Sequence, residues 1–231
     1  MPQTIALIGA MPPEISLLQE SLQNLRSEHL ADFDIYCGEY AGKNVVLALS
    51  GIGKVNAALS TALVLQYRPD FVINTGSAGG LGSGLKVGDV VIGTQTAHHD
   101  VDVTAFGYAI GHVPRMPARF ESDPALCAAA EKAAAAFEHA AVHHGLIVSG
   151  DQFVHSSESV AEVRRHFPDA QAVEMEAAAI AQSCHRFGVP FVVIRAISDL
   201  ADEEADTSFE TFLKTASVHS AKMVLQLIEA L

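Results

Sequence analysis

Positive charge is scarce in this chain. Across 231 residues, 14 Lys and Arg stand against 27 Asp and Glu, a formal net charge of −13 at pH 7, and nowhere do three basic residues follow one another. A nucleic-acid surface needs a phosphate-neutralising excess of Lys and Arg, so the composition argues against a nucleic-acid partner. Charge of either sign is thin: 18% of residues are charged, against about a quarter in an average soluble domain, while 49% are apolar. Long apolar runs are missing too. The Ala-rich stretch from Ala125 to Val142 is broken by Glu131, Lys132, Glu138 and His139, and no segment reaches the roughly 18 uninterrupted apolar residues of a spanning helix. No membrane partner is expected, and the apolar excess points instead to a subunit interface. The opening MPQTIALIGAMPPE has no basic region before its short apolar run, so a secretory signal is not expected and the expected location is cytoplasmic.

Cysteine is sparse and unpatterned. Cys37, Cys127 and Cys184 are odd in number, far apart and free of any Cys-x-x-Cys pair, which excludes a disulfide framework and reads as three small buried hydrophobes in a reducing compartment. Linkers rich in Ser, Pro or charge are absent, as are repeats, so a single domain over residues 1–231 is expected, a length common for one α/β unit.

Short β-branched runs alternating with longer Ala/Leu-rich stretches predict layered strands and helices. Thr4–Gly9 reads as a buried strand, and Pro12-Pro13 opens a helix running through Ile15, Leu18 and Leu22. Phe33–Tyr40 and Asn44–Leu49 read as a strand pair turned at Gly42. Further strands are predicted at Phe71–Asn74, from Asp89, at Gly145–Val148 and at Phe191–Ile194. Helices are predicted over Val55–Tyr67, Pro124–Phe137, Glu176–Phe187 and from Phe209 onward.

Three Gly-rich turns follow predicted strands: Gly9-Ala10, Ser50-Gly51-Ile52-Gly53 and Thr75-Gly76-Ser77-Ala78-Gly79-Gly80. In layered α/β folds ligands bind past the carboxyl ends of strands, where glycine lets backbone approach closely, so three such turns point to one shared cleft. Nucleotide fingerprints fail on register. Gly53-Lys54 looks like the end of a phosphate loop, but Val55 stands where Ser or Thr would ligate magnesium and Ala48 where the first Gly belongs. The histidines at His98-His99, His139 and His143-His144 lack a third ligand and read as solvent-facing; no metal and no organic cofactor is expected. Carboxylates are the sharper signal. Glu14, Glu174, Glu176 and Asp199 each fall near a predicted strand end or helix start, whereas Glu204, Asp206 and Glu210 read as solvating. Arg195, next to an apolar strand, is expected to be paired.

Taken together, Gly9-Ala10-Met11, Ser50–Lys54, Asn74–Gly80, Val148-Ser149-Gly150-Asp151, Val173-Glu174-Met175-Glu176 and Arg195-Ala196-Ile197-Ser198-Asp199 closely resemble the bacterial 5′-methylthioadenosine/S-adenosylhomocysteine nucleosidases, in family order and over nearly the whole chain. The resemblance implies a three-layer α/β/α sandwich of the nucleoside phosphorylase type around a twisted mixed sheet, a homodimer, and irreversible hydrolysis of the adenine–ribose bond. It implies that Asp199, held by Ser198, protonates nitrogen 7 of adenine, and that Glu14, helped by Arg195 and Ser77, activates the water. Phe153 would stack on the base, the Val154 backbone would pair with its edge, and Glu176 would grip the ribose hydroxyls with Glu174 in support. Ala78 and Gly79 would border the substrate, while Met11, Ile52, Met175 and Phe209 would wall the ribose and alkylthio pocket. Val103, Phe106 and Pro114 would reach into the partner subunit's site.

Chemistry alone favours the same division of labour. Breaking an N-glycosidic bond leaves an anionic base and an oxocarbenium-like sugar, which call for a protonated acid and for nearby carboxylates respectively. An Asp after an apolar strand can keep its proton through burial. Pro12-Pro13 replaces the acidic residues expected ahead of Glu14, yet proline suits a helix's first turn, so Glu14 is expected to keep its place. His155-Ser156-Ser157-Glu158 also departs from the family pattern. Rival readings are a phosphate-dependent purine nucleoside phosphorylase, disfavoured because Asn74 stands where phosphorylases of this fold tend to place Arg; an aminodeoxyfutalosine nucleosidase; and a non-catalytic nucleoside-binding protein.

Overall fold

A computed structural model describes residues 2–135, 140–202 and 204–231. Its centre is a mixed sheet built from ten strands among these residues: β1 (Thr4–Gly9), β2 (Gln23–Leu30), β3 (Phe33–Tyr40), β4 (Lys43–Leu49), β5 (Phe71–Gly80), β6 (Val90–His98), β7 (Phe120–Glu121), β8 (Val142–Ser149), β9 (Ala170–Glu174) and β10 (Phe191–Asp199). β4, β1, β5 and β10 run parallel, so their carboxyl ends share one edge. Beyond β10 the order continues through β6, β8 and β9, and β9 returns to β5 through Gly79 opposite Val173 and Gly80 opposite Ala172. Five of the strands therefore close into a ring, and the open wing β1–β4–β3–β2 leaves from β5.

The strand pattern dictates the layering. Side chains alternate across a strand, so on β1 Ile5 and Leu7 enter one core while Ala6 and Ile8 enter the other. The first core is closed by α1 (Pro12–Ser21), α3 (Pro124–Ala134) and α6 (Ala205–Ala230), the second by α2 (Lys54–Val64) and α5 (Ala177–Phe187). A smaller third core lies under α4 (Ser157–His166). Strands apolar on both faces, such as FVVI at the start of β10, are what helices on both sides require.

Several boundaries differ from the sequence reading. Thr75–Gly80 is not a turn: β5 runs straight through it, and β10 likewise continues past Ile194 to Asp199. Every residue of both strands is buried, and the closed ring supplies backbone partners that a short open strand would lack. The first helix ends at Ser21 with Leu22 as its C-cap. The second begins at Lys54 and tightens into a 3-10 turn over Leu65–Tyr67, and the last begins at Ala205. β2, β7, β9 and α4 were not foreseen, and Phe137, the expected end of the third helix, lies outside the described residues, as does His139. Only Cys184 is a buried cysteine; Cys37 and Cys127 are half-buried and pack against the second and first cores from outside. His98 does not face solvent either: it is buried, hydrogen-bonded to Gln182 and set edge-on to Phe120, and burial lowers its pKa. Among the described residues no helix is long and apolar enough to cross a membrane.

Candidate active site

Where β1 ends and α1 begins, Pro12 and Pro13 occupy the first two helical positions, whose N–H groups would have no intrahelical partner anyway. Glu14 follows at the third and folds back over the helix start. One carboxylate oxygen accepts from the backbone N–H groups of Ala10 (2.9 Å) and Met11 (3.0 Å), the other from the backbone N–H and the hydroxyl of Ser77 on β5 (2.8 Å each). Four donors and a helix N-terminus thus hold a fully buried carboxylate at the junction of two strands.

Gly76 makes this approach sterically feasible. A Cβ there would lie 2.7 Å from a Glu14 oxygen and 2.2 Å from Nη1 of Arg195, directly across the strand pair. The Arg195 guanidinium is wholly buried. Its Nη2 donates to Asn74 Oδ1 (2.8 Å) and to Glu174, and lies 3.5 Å from Glu176. Burial works against the charge, but Glu174, Glu176 and Glu14 around it raise the Arg195 pKa. Asn74 uses its other end to donate to the Ile8 carbonyl (2.9 Å), which ties β1 to the same cluster.

Glu174, at the end of β9, is saturated. It accepts from Arg195, from the Ser149 hydroxyl and from the backbone N–H groups of Glu176 (3.1 Å) and Ala177 (2.9 Å) that open α5. Glu176 accepts from the Gly53 N–H (2.9 Å). Burial and the neighbouring Glu174 carboxylate push its pKa up to about 8, against the pull of Arg195 and of that N–H. At the end of β10, Asp199 accepts from the Ser198 hydroxyl (2.8 Å) and the Ala201 N–H (2.9 Å). Burial raises its pKa even so, with Asp202 adding to the rise.

These groups surround one cavity of about 250 Å³ at the shared strand edge. Met11, Glu14, Ile52, Ser77, Ala78, Gly79, Phe153, Val154, Glu174, Met175, Glu176, Ser198, Asp199 and Phe209 all line it. Phe153 and Phe209 meet edge-to-face at the rim, ring centroids 5.7 Å apart.

A family model described as the phosphorylase superfamily matches residues 4–229. The 5′-methylthioadenosine/S-adenosylhomocysteine nucleosidase of Anoxybacillus flavithermus is 54% identical over 98% of each chain. The chain belongs to this nucleosidase family. The crystal structure of the Neisseria meningitidis nucleosidase in complex with methylthio-immucillin-A superposes with a TM-score of 0.98 at 65% identity, covering 99% of this chain and 100% of that one. The futalosine hydrolase of Helicobacter pylori, at 38% identity, also superposes, with a TM-score of 0.94 over 99% of this chain and 98% of its own.

Set beside the nucleosidase expectation, one residue lies elsewhere, and the three expected to serve a partner subunit's site lie outside this chain's own cavity. Arg195 does not border the cavity; it stands one layer behind, gripping Glu174, so any action on substrate passes through other side chains. Val103, Phe106 and Pro114 are also outside this chain's own cavity, and Phe106 is 81% exposed. The sequence reading missed Ala10, Gln152 and Val173 in the lining, and it missed Ser149, whose hydroxyl accepts from the Ala178 N–H (2.8 Å) while donating to Glu174. Ala10, Val173 and Ser149 stood inside the quoted family blocks; Gln152 carried no signal of its own. Among the described residues no cluster of His, Cys, Asp or Glu forms a metal site.

Proposed function

We propose that this nucleosidase hydrolyses the N-glycosidic bond of 5′-methylthioadenosine and S-adenosylhomocysteine, and also of 5′-deoxyadenosine, releasing adenine and the 5-substituted ribose. Its place would be methionine salvage and S-adenosylhomocysteine recycling. The observation that carries the reading is the sign of the cavity: Glu14, Glu174, Glu176 and Asp199 face it, and no Lys or Arg among the described residues does. A phosphate dianion needs cationic groups or several convergent donors. At this site the donors of Ser77, Ala10 and Met11 are already spent on Glu14. Water, in contrast, gains from a carboxylate that can take its proton.

The geometry supports the following sequence. Asp199, whose hold on a proton is strengthened by burial, acts in its protonated form and gives that proton to nitrogen 7 of adenine as the glycosidic electron pair moves onto the base. The ribose passes through an oxocarbenium-like state stabilised by the carboxylates beneath it. Water adds to the anomeric carbon from the Glu14 side and yields its proton to that carboxylate. Ser198 orients Asp199, and Ser77 orients Glu14. Phe153 stacks on the base, the Val154 backbone pairs with its edge, and Glu176 takes the ribose hydroxyls. Met11, Ile52, Met175 and Phe209 suit a thioether at the 5′ position better than a hydrated wall would. Arg195 acts as a positioning residue through Glu174.

A homodimer completes the reading. Ile52 is 51% exposed and Phe153 44% exposed at the cavity mouth, and the projecting segment of Val103, Phe106 and Pro114 supplies apolar side chains to cover a neighbouring mouth. Incubation with 5′-methylthioadenosine, S-adenosylhomocysteine, 5′-deoxyadenosine and aminodeoxyfutalosine, followed by chromatography for free adenine, tests the substrate assignment. Adenine with 5-methylthioribose is expected from the first, and release from aminodeoxyfutalosine alone would overturn it.

A further inference from the structure

Lys54, which fails as a phosphate-loop lysine, occupies a closed hydrogen-bonded ring outside the cavity. Its Nζ donates to Asp100 Oδ1 (2.6 Å), its backbone N–H donates to Asp151 Oδ1 (2.8 Å), and the Asp151 N–H donates to Asp100 Oδ2 (2.9 Å). Lys54 opens α2 just past the turn after β4, while Asp100 and Asp151 lie in the loops after β6 and β8. The ion pair is shielded, with 18% and 15% of the two side chains exposed. Burial opposes the charge on Asp100, but Lys54 and the Asp151 N–H keep its pKa below the ordinary value.

Two glycines let the ring close. Gly53 has φ +94° and a Cβ there would press to 3.1 Å from Asp151 Oδ1; a Cβ on Gly150 would lie 2.4 Å from His99 Nε2 and 3.1 Å from the Asp100 carboxyl carbon. The residues just outside the ring are the ones that reach the cavity. Gly53 N–H is the hydrogen-bond donor to Glu176, Ile52 precedes it, and Gln152 and Phe153 follow Asp151.

We propose that Lys54 and Asp100 form a positioning clasp that holds the Gly53 N–H on Glu176 and so sets the ribose end of the cavity. Without the ammonium, the Asp100 carboxylate is left half-buried with no counter-charge and only the Asp151 N–H to hold it; the loops carrying Asp100 and Asp151 then separate and Gly53 moves away from Glu176. The inference rests on the nucleoside reading of the site.

The test uses the full chain with 5′-methylthioadenosine as substrate and adenine as inhibitor. Loss of a charged hydrogen bond predicts that K54M raises KM about tenfold with kcat within about threefold, because a ribose contact present in both ground and transition states is weakened. Adenine carries no ribose, so its inhibition constant stays within about twofold. K54R restores KM, and K54M/D100N has a lower KM than K54M because the uncompensated charge is gone; K54Q carries the same expectation if K54M does not fold. A K54M chain with wild-type KM, or one whose affinity for adenine falls in step with KM, overturns the clasp. A wild-type chain that releases no adenine overturns the nucleoside reading itself, and the clasp falls with it.

Discussion

Arg195 and Glu174 form an ion pair with 1% and 3% of their side chains exposed. Desolvating two charges costs several kcal/mol apiece, which mutual attraction repays only when the remaining donors and acceptors are also satisfied. Here Ser149 and the first N–H groups of α5 complete Glu174, whereas on the other side Asn74 accepts from Nη2 but Arg195 Nε is buried with no hydrogen-bond partner among the described residues. R195M leaves Glu174 and Glu176 buried without a counter-charge and is expected to lower stability by about 3–5 kcal/mol. R195K keeps the charge but not the planar fork that reaches Asn74 and Glu174 together, and should recover only part of the loss. Urea denaturation of the three proteins checks both.

Gly76 is the position where backbone geometry and the site depend most directly on one another. G76A places a methyl group against the Arg195 guanidinium and the Glu14 carboxylate, neither of which has room to move. Overpacking of this kind costs about 1–3 kcal/mol. Both groups have proposed roles at the site, Glu14 directly and Arg195 through Glu174, so kcat/KM should fall well beyond what the stability loss explains. A G76A chain with wild-type turnover would contradict the close approach.

The two ends of the cavity carry different chemistry. D199N removes the proposed proton donor but keeps the hydrogen-bonding shape, and E14Q removes the proposed proton acceptor opposite. Each is expected to lower kcat by about 10²–10⁴-fold with substrate binding preserved. Steady-state kinetics and equilibrium binding of the substrate measure the two effects separately. Since burial raises the pKa of Asp199, wild-type kcat/KM should decline as pH rises through that raised value and the acid loses its proton.

Glu176 links pH to stability. Its pKa rises from 4.5 to about 8 on folding, so between those values the folded chain holds a proton that the unfolded chain has released. Stability therefore falls as pH rises across that window, by an amount on the order of a few kcal/mol in total. E176Q removes the titrating group, so the wild-type melting temperature should drop relative to E176Q between pH 4.5 and 8. A difference between the two that is constant with pH would contradict the assignment.

Strands buried on both faces were legible because they need little beyond an apolar run: β1, β4 and the first half of β10 stand out for that reason. β2 was not, because QNLRSEHL is exposed at every position and owes its conformation to pairing with β3 at the sheet edge. α4, SESVAEVRRH, is polar apart from Val160, Ala161 and Val163, of which only the two valines enter the small third core, and its strongest local signal is the Ser156 cap. The second half of β5 reads as a turn because Gly dominates it, and in β10 the apolar run stops at Ile194 where Arg195 begins a mixed stretch; their strand character comes from the closure of the ring, a contact between residues about 100 positions apart.

The carboxylates were legible as types near strand ends, and the family blocks located nearly all of the lining. What the sequence could not convey was depth. Arg195 and Asp199 share one strand, yet the side chain of one is sealed behind the wall and the other faces the cavity. Nor could spacing reveal that Lys54, Asp100 and Asp151 meet, since the start of α2 and two distant loops bring them together.

The central claim is that water, not phosphate, takes the anomeric carbon. It is tested most directly by turning over 5′-methylthioadenosine in phosphate-free buffer made with ¹⁸O-water and weighing the sugar product by mass spectrometry. The predicted result is full adenine release with one ¹⁸O in a free 5-methylthioribose, unchanged in rate when phosphate is added. Adenine release that waits for phosphate and yields a sugar 1-phosphate would contradict it.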